Sequence, residues 1–220
     1  MELAEIETAL NNPDFGQRLK AISALKDYDA EIAVPLLISR VEDEEFLVRS
    51  FVAMGLGKYK TDRAFSALLG MLHAERDTNV KAEAANSLSL FGEISIPHIV
   101  KEFYQEPNWL VRRTILAILA DIGHPHHLHE VCCKALSDAD ATVREAAIRG
   151  LASLAGSSQH AAALEKLLEL ARSRSILMRI GAARALRHFK EAEAQEMLQQ
   201  LRQDPDSKVV AATLENLLEK

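Results

Sequence analysis

The sequence predicts an all-α chain, an α-solenoid of about seven short helix pairs forming one domain over residues 1–220. Three observations predict it. Apolar residues make up 48 % of the chain but aromatics only 5 %, with Ala and Leu dominant. That balance suits closely packed helices; a β-sandwich draws on Val, Ile, Thr and aromatics. One pattern recurs from end to end, at spacings of 31 to 35 residues. Each recurrence places cap-forming residues just ahead of an apolar stripe at helical period.

The register is set by a basic column: Arg18, Arg49, Lys81, Arg112, Arg144 and Arg179, with Val210 closing it. Seven residues beyond each stands a leucine: Leu25, Leu56, Leu88, Leu119, Leu151, Leu186 and Leu217. Immediately before the basic column stand Gln17, Val48, Val80, Val111, Val143, Met178 and Val209. With the positions four and eight later, these form the apolar face of one helix. Four residues ahead of the basic column stand Asp14, Glu45, Asp77, Asn108, Asp140, Ser175 and Asp206. All but Glu45 are good N-cap residues, whose side-chain oxygens satisfy free amides at a helix start. Pro13, Pro107 and Pro205 stand just before that column, where a preceding helix has to have ended.

A second amphipathic stretch lies upstream in each unit, for example Ala33–Leu37, Ala64–Leu69 and Ala163–Leu168. Each unit is therefore helix, turn, helix. A single pair cannot bury its apolar face, but stacked pairs can. The widest spacing, 35 residues, falls where Gly156-Ser157-Ser158-Gln159 make a longer loop. Gln17 in the first unit and Val210 in the last depart from their columns where no further neighbour has to be matched.

The motif D-x-x-V-R-x-x-A-x-x-x-L, present as Asp140, Val143, Arg144, Ala147 and Leu151, resembles the HEAT-repeat family, and the resemblance covers the whole chain. The short units are most similar to the phycobilisome-lyase-like subset. Asp14-Phe15-Gly16-Gln17-Arg18-Leu19 and Asn108-Trp109-Leu110-Val111-Arg112 are similar to cyanobacterial proteins related to phycobilin lyases, among them a homologue implicated in phycobilisome degradation. The resemblance implies HEAT-like helix pairs and a role in handling phycobiliproteins or their bilin chromophore. It implies no tightly bound cofactor, only transient contact with a phycocyanobilin-type bilin.

Several groups of residues invite a functional reading. The basic column recurs too regularly to be a site, since a ligand site is local and a stacking device must repeat. Each Arg is expected to pair with carboxylates of the cap column in its own or an adjacent unit. The run HPHHLHEVCC, His124 to Cys133, concentrates metal-ligating side chains. Pro125 is expected to open a helix on which His126, His129 and Cys132 or Cys133 lie three and four apart, sharing a face. Zinc takes about four converging ligands, and no CxxC occurs, so the expectation is a turn with a small core Cys and no metal. Trp109, Phe15 and Phe46 share a column and serve either as edge anchors or as staples on the preceding turn. The best site candidates lie on the concave face lined by second helices. There Phe51 and Met54 are large, apolar and not needed for stacking, and Arg113, Arg149 and Arg184 add cations. An apolar patch beside arginines suits an acidic, partly apolar partner: a linear tetrapyrrole with two propionates, or an acidic helix of another protein. The expected binding residues are Phe51, Met54, Trp109, Arg113, Arg149 and Arg184.

Composition narrows the function classes. A net charge of −6 with no basic block does not point to nucleic acid. The longest apolar run, Ile115–Ala120, falls far short of the roughly 20 residues of a membrane span. Met1-Glu2-Leu3-Ala4-Glu5 is acidic where a signal peptide is basic, and adjacent Cys132 and Cys133 disfavour a structural disulfide. A cytoplasmic location is expected. No nucleophile elbow or Gly-rich phosphate loop occurs, and no Ser/His/Asp set is brought together by spacing. Catalytic sets form in space, so enzyme activity stays open; lyase-like work would be mainly positioning of a partner. The expected function is a protein-binding scaffold handling a phycobiliprotein or its bilin in attachment, detachment or phycobilisome turnover. The alternative is a general helical-repeat adaptor without chromophore chemistry. A metal-delivery adaptor using the His/Cys run is a third reading.

Overall fold

The computed structural model describes residues 1–215; Leu217, the last of the expected leucine column, lies outside the described residues. Among the described residues the chain is helical throughout, with no strand. The first helices of the pairs are α1 (Leu3–Leu10), α3 (Ala30–Ile38), α5 (Asp62–Ala74), α7 (Ile96–Gln105), α9 (Pro125–Ala135), α11 (His160–Ala171) and α13 (Ala192–Leu201). Their partners are α2 (Phe15–Ala24), α4 (Phe46–Gly57), α6 (Thr78–Ser89), α8 (Trp109–Ile122), α10 (Ala141–Ser153), α12 (Ile176–Leu186) and α14 (Ser207–Leu214). The architecture is an all-α solenoid of helix pairs.

Each second helix begins at the residue after the cap column. The Asp14 carboxylate accepts from the Gly16 amide, Asp77 from Asn79 and Val80, Asp140 from Thr142 and Val143, and Asp206 from Lys208. The Asn108 side-chain oxygen accepts from the Leu110 amide at 2.9 Å. Ser175 does not cap, against expectation; its own amide donates to the Ser173 hydroxyl at 3.1 Å. The longer loop before α11 turns at Gly156, whose φ of 77° is open to glycine and strained for other residues. The Gly156 amide donates to His160 Nδ1 at 2.7 Å, which ties this loop to the helix that follows.

The chain divides into two compact units, one running from Met1 to Ile118 and the other beginning at Leu119. In the first, α2 packs on α4 and α4 on α6, while α3 packs on α5. In the second, α10 packs on α12 and α12 on α14, while α9, α11 and α13 pack in sequence. Like helices therefore pack on like, which explains why the same column recurs in every core. Leu25, Leu56 and Leu88 are buried in the first unit, and Leu119, Leu151 and Leu186 in the second. Close approach is built with small residues. A Cβ on Gly150 would stand 2.5 Å from Cys132 Sγ, and one on Gly181 would stand 2.6 Å from Ile148 Cδ1.

The basic column is a stacking device, but its acids are not those expected from the cap column. The shared partner position is two residues ahead of the next cap, at Asp43, Glu75, Glu106 and Asp204; Glu102, which Lys81 also meets, stands six ahead. Arg18 Nη2 donates to Asp43 at 2.9 Å, Arg49 grips Glu75 through Nε and Nη2 at 2.7 and 3.0 Å, and Arg179 grips Asp204 at 2.7 and 3.0 Å. Lys81 meets both Glu102 and Glu106, at 2.7 and 2.5 Å. The same acids take the amide of the cap residue, as Asp43 does from Glu45 and Glu75 from Asp77. Each arginine also donates backward to two carbonyls of the turn before its own helix; for Arg144 these are Asp138 and Ala139, at 2.7 and 2.8 Å. One guanidinium thus joins its own turn to the next repeat, a task that lysine's point charge performs less completely. Arg144 meets no acid in this register, because Ser173 stands where the others have a carboxylate.

Candidate functional site

The first unit carries a shallow apolar pocket of about 130 Å³ between α2 and α4. Its walls include Ile22, Leu25, Leu37, Phe51 and Met54. Phe51 and Met54 sit three residues apart on α4, so helical period puts them on one face, and Met54 is 45 % exposed. Gly55 makes room for the floor: a Cβ there would stand 3.0 Å from Leu37 Cδ2. The Tyr59 hydroxyl donates to the Leu25 carbonyl at 2.6 Å and lies 3.2 Å from that of Tyr28, which holds the rim in place. Burial pushes the Tyr59 phenol above its ordinary pKa, helped by the negative charges of Asp27 and Asp29. Two further lining residues, Lys26 and Lys58, are exposed, and neither has an ion-pair partner among the described residues.

The sequence reading missed these two lysines because they lie outside the columns examined for the inner face. Their signal was position. Lys26 lies in the short turn Leu25–Asp27 directly after α2, and Lys58 is the residue after α4, both at helix ends where the dipole favours cations.

The arginines expected to complete the site are already engaged. In the first unit, the Arg113 guanidinium lies 5.9 Å from the ring centroid of Trp109, one turn before it on α8. Trp109 remains 41 % exposed. In the second unit, Arg149 pairs with Glu145 at 2.6 Å on the surface of α10. Arg184 grips Glu215 through Nη2 at 2.7 Å and Nε at 3.0 Å. That bond raises the Arg184 pKa and lowers that of Glu215. A second pocket, of about 150 Å³, is lined by Ile148, Leu177, Met178, Glu145 and Arg184. Its Arg184 is paired with Glu215, while Arg144, which also lines it, is held by the Asp138 and Ala139 carbonyls.

The His/Cys run is helical rather than the turn expected of it: His124 stands at the cap and Pro125 to Cys133 make up most of α9, with Pro125 opening the helix as expected. Cys132 is buried against Gly150, and burial pushes its thiol far above the ordinary range. It is a small core residue facing the place where a Cβ would not fit. Cys133 Sγ lies 3.6 Å from His129 Nε2, and the His124 and His127 rings stand 5.1 Å apart. Among the described residues no three His, Cys, Asp or Glu side chains are grouped to hold a metal ion. None of the described helices is long and apolar enough to cross a membrane.

Comparison with known proteins agrees with this architecture. A family model described as HEAT repeats matches residues 3–89, 96–173 and 130–218. No curated protein sequence matches at a significant level. Among solved structures, Escherichia coli YibA is 18 % identical with a TM-score of 0.63, covering 100 % of this chain and 87 % of that one. The CpcE–CpcF complex of phycocyanin lyase from Nostoc is 20 % identical with a TM-score of 0.54, covering 97 % and 94 %. A structure of Kap95p with RanGDP is 16 % identical with a TM-score of 0.63, covering 98 % of this chain and 32 % of that one. At these identities the likeness is one of fold.

Proposed function

This chain belongs to the HEAT-repeat family, and from that premise we propose that it is a binding scaffold for one protein partner, engaged through Phe51 and Met54 on the free face of its second helices. The carrying observation is the pocket between α2 and α4, where apolar side chains that stacking does not use stay open to solvent. Buried aromatic and aliphatic anchors of this kind dominate the energetics of protein interfaces. Trp109 and Arg113 remain candidates for the periphery within the first unit, and Arg149 and Arg184 for a partner surface of the second unit by itself; charges there orient a partner more than they hold it.

The finer proposal is that the partner is a phycobiliprotein or its bilin, met during chromophore attachment, detachment or phycobilisome turnover. Its support is the short repeat, the two motifs at Asp14 and Asn108, and a fold shared with a phycocyanin lyase. The alternative is a general adaptor without chromophore chemistry. The test is to titrate the protein with phycocyanin and, separately, with a phycocyanobilin-type bilin while following the visible absorption band. The proposal expects a band shift or complex formation that Phe51→Ala weakens by about 1–2 kcal/mol with little change in melting temperature. If neither ligand binds, the chromophore reading fails and the adaptor reading takes its place.

A further inference from the structure

We infer that the pocket between α2 and α4 takes one large apolar side chain from an acidic protein segment, whose flanking carboxylates pair with Lys26 and Lys58. This rests on the proposal that the free face of the second helices is the binding surface, and it names the chemistry that surface selects.

Size comes first. The pocket holds about 130 Å³. An apolar cavity of about 150 Å³ accommodates a benzene-sized group, whereas sites for whole small molecules run to roughly 300–1,000 Å³. A phenyl or isobutyl side chain fills it, whereas an open-chain tetrapyrrole would enter only in part. The occupant is then a side chain on a protein segment.

Charge comes second. The chain as a whole carries −6, yet Lys26 and Lys58 beside this pocket are exposed and lack an ion-pair partner among the described residues. Unpaired cations around an apolar floor complement carboxylates and repel a basic segment. Spacing comes third. The two lysines lie just past the ends of α2 and α4, the second helices of consecutive repeats. Neighbouring helices pack about 8–10 Å apart, close to three residues of extended chain at roughly 3.3 Å each. Acidic residues one and two places either side of a single apolar residue, roughly 7 and 13 Å apart on an extended chain, bracket that span.

The test uses the full chain and a fluorescein-labelled heptapeptide, Ser-Asp-Glu-Phe-Glu-Asp-Ser, read by fluorescence anisotropy. Two control peptides replace the central Phe by Ser, or all four acids by Lys. The acidic Phe peptide is expected to bind at least tenfold more tightly than either control. The double variant Lys26→Glu/Lys58→Glu is expected to lose at least tenfold in affinity at unchanged melting temperature. An equal charge change away from the pocket, Lys101→Glu/Lys134→Glu, is expected to lose less than threefold. Equal binding of the Lys peptide, or an undiminished affinity in Lys26→Glu/Lys58→Glu, overturns the inference. The two proposals fail separately. If Lys26→Glu/Lys58→Glu leaves peptide binding intact while Phe51→Ala still weakens phycocyanin binding, this inference falls and the functional reading stands. If the peptide behaves as expected while neither phycocyanin nor bilin binds, the inference stands and the chromophore reading falls.

Discussion

Replacing Asp43 by alanine tests whether the ladder of basic and acidic residues holds the repeats together. The Asp43 side chain is fully buried, and the Arg18 side chain beside it is 3 % exposed. The carboxylate accepts from Arg18 Nη2 at 2.9 Å, from Arg40 Nε at 2.9 Å and from the Glu45 amide at 3.1 Å. Removing one member of a buried ion pair costs about 3–5 kcal/mol, because the other charge keeps its desolvation and loses its partner. Arg18 retains Nη1 bonds to the Asn12 and Pro13 carbonyls, and the exposed Glu44 carboxylate is only 3.5 Å away. Arg40 is partly exposed and can return to solvent. The expected loss is therefore at the lower end, about 3 kcal/mol. Removing both charges as Arg18→Met/Asp43→Leu should be far milder, within about 1 kcal/mol of wild type, since no uncompensated charge stays buried. Urea denaturation followed by far-ultraviolet circular dichroism measures both. A loss under about 1 kcal/mol for Asp43→Ala would refute the reasoning, as would a double variant no more stable than the single one.

Other expectations follow from the same packing. Leu119→Ala should cost about 2–5 kcal/mol, since the side chain is fully buried; a cost below about 0.5 kcal/mol would mean that the leucine column is not core. Gly150→Ala should cost about 1–3 kcal/mol by forcing a Cβ against Cys132 Sγ, and Cys132→Ala in the same chain should recover most of it; no recovery would show that the strain lies elsewhere. Stability should fall on acidification. Burial alone would raise the Asp43 and Glu75 carboxyls, but hydrogen bonds from Arg40 and Arg18, from Arg49 and from backbone amides outweigh it, and Arg179 lowers Asp204. Their folded pKa values lie below the unfolded ones, so the stabilisation is complete above about pH 5 and is lost as the pH falls through the folded values. Urea midpoints at pH 7, 5 and 3 should show this, and Asp43→Asn/Glu75→Gln should flatten the profile; an unchanged slope counts against the ladder as its source.

The sequence by itself determined the repeat, its register and the helix type of every element. Helical period, caps and turn residues act over a few neighbours, so each unit restates its own local structure. Leu25 to Leu186 and the Val column could be placed in the core because like helices pack on like, and a column that recurs must face the same environment each time. Cys132 could be read as a core residue on the same grounds. What the tertiary structure alone decided was pairing across repeats. Nothing local tells Arg18 to seek Asp43 rather than a cap residue, since the choice depends on where the next repeat sets its turn. Nor does local pattern show that Arg184 is spent on Glu215 while Lys26 and Lys58 stay unpaired, although all are exposed cations on second helices or at their ends. A charge is available to a partner only if no neighbour in space has neutralised it, and for these residues that neighbour, where one exists, is some thirty positions away in the chain.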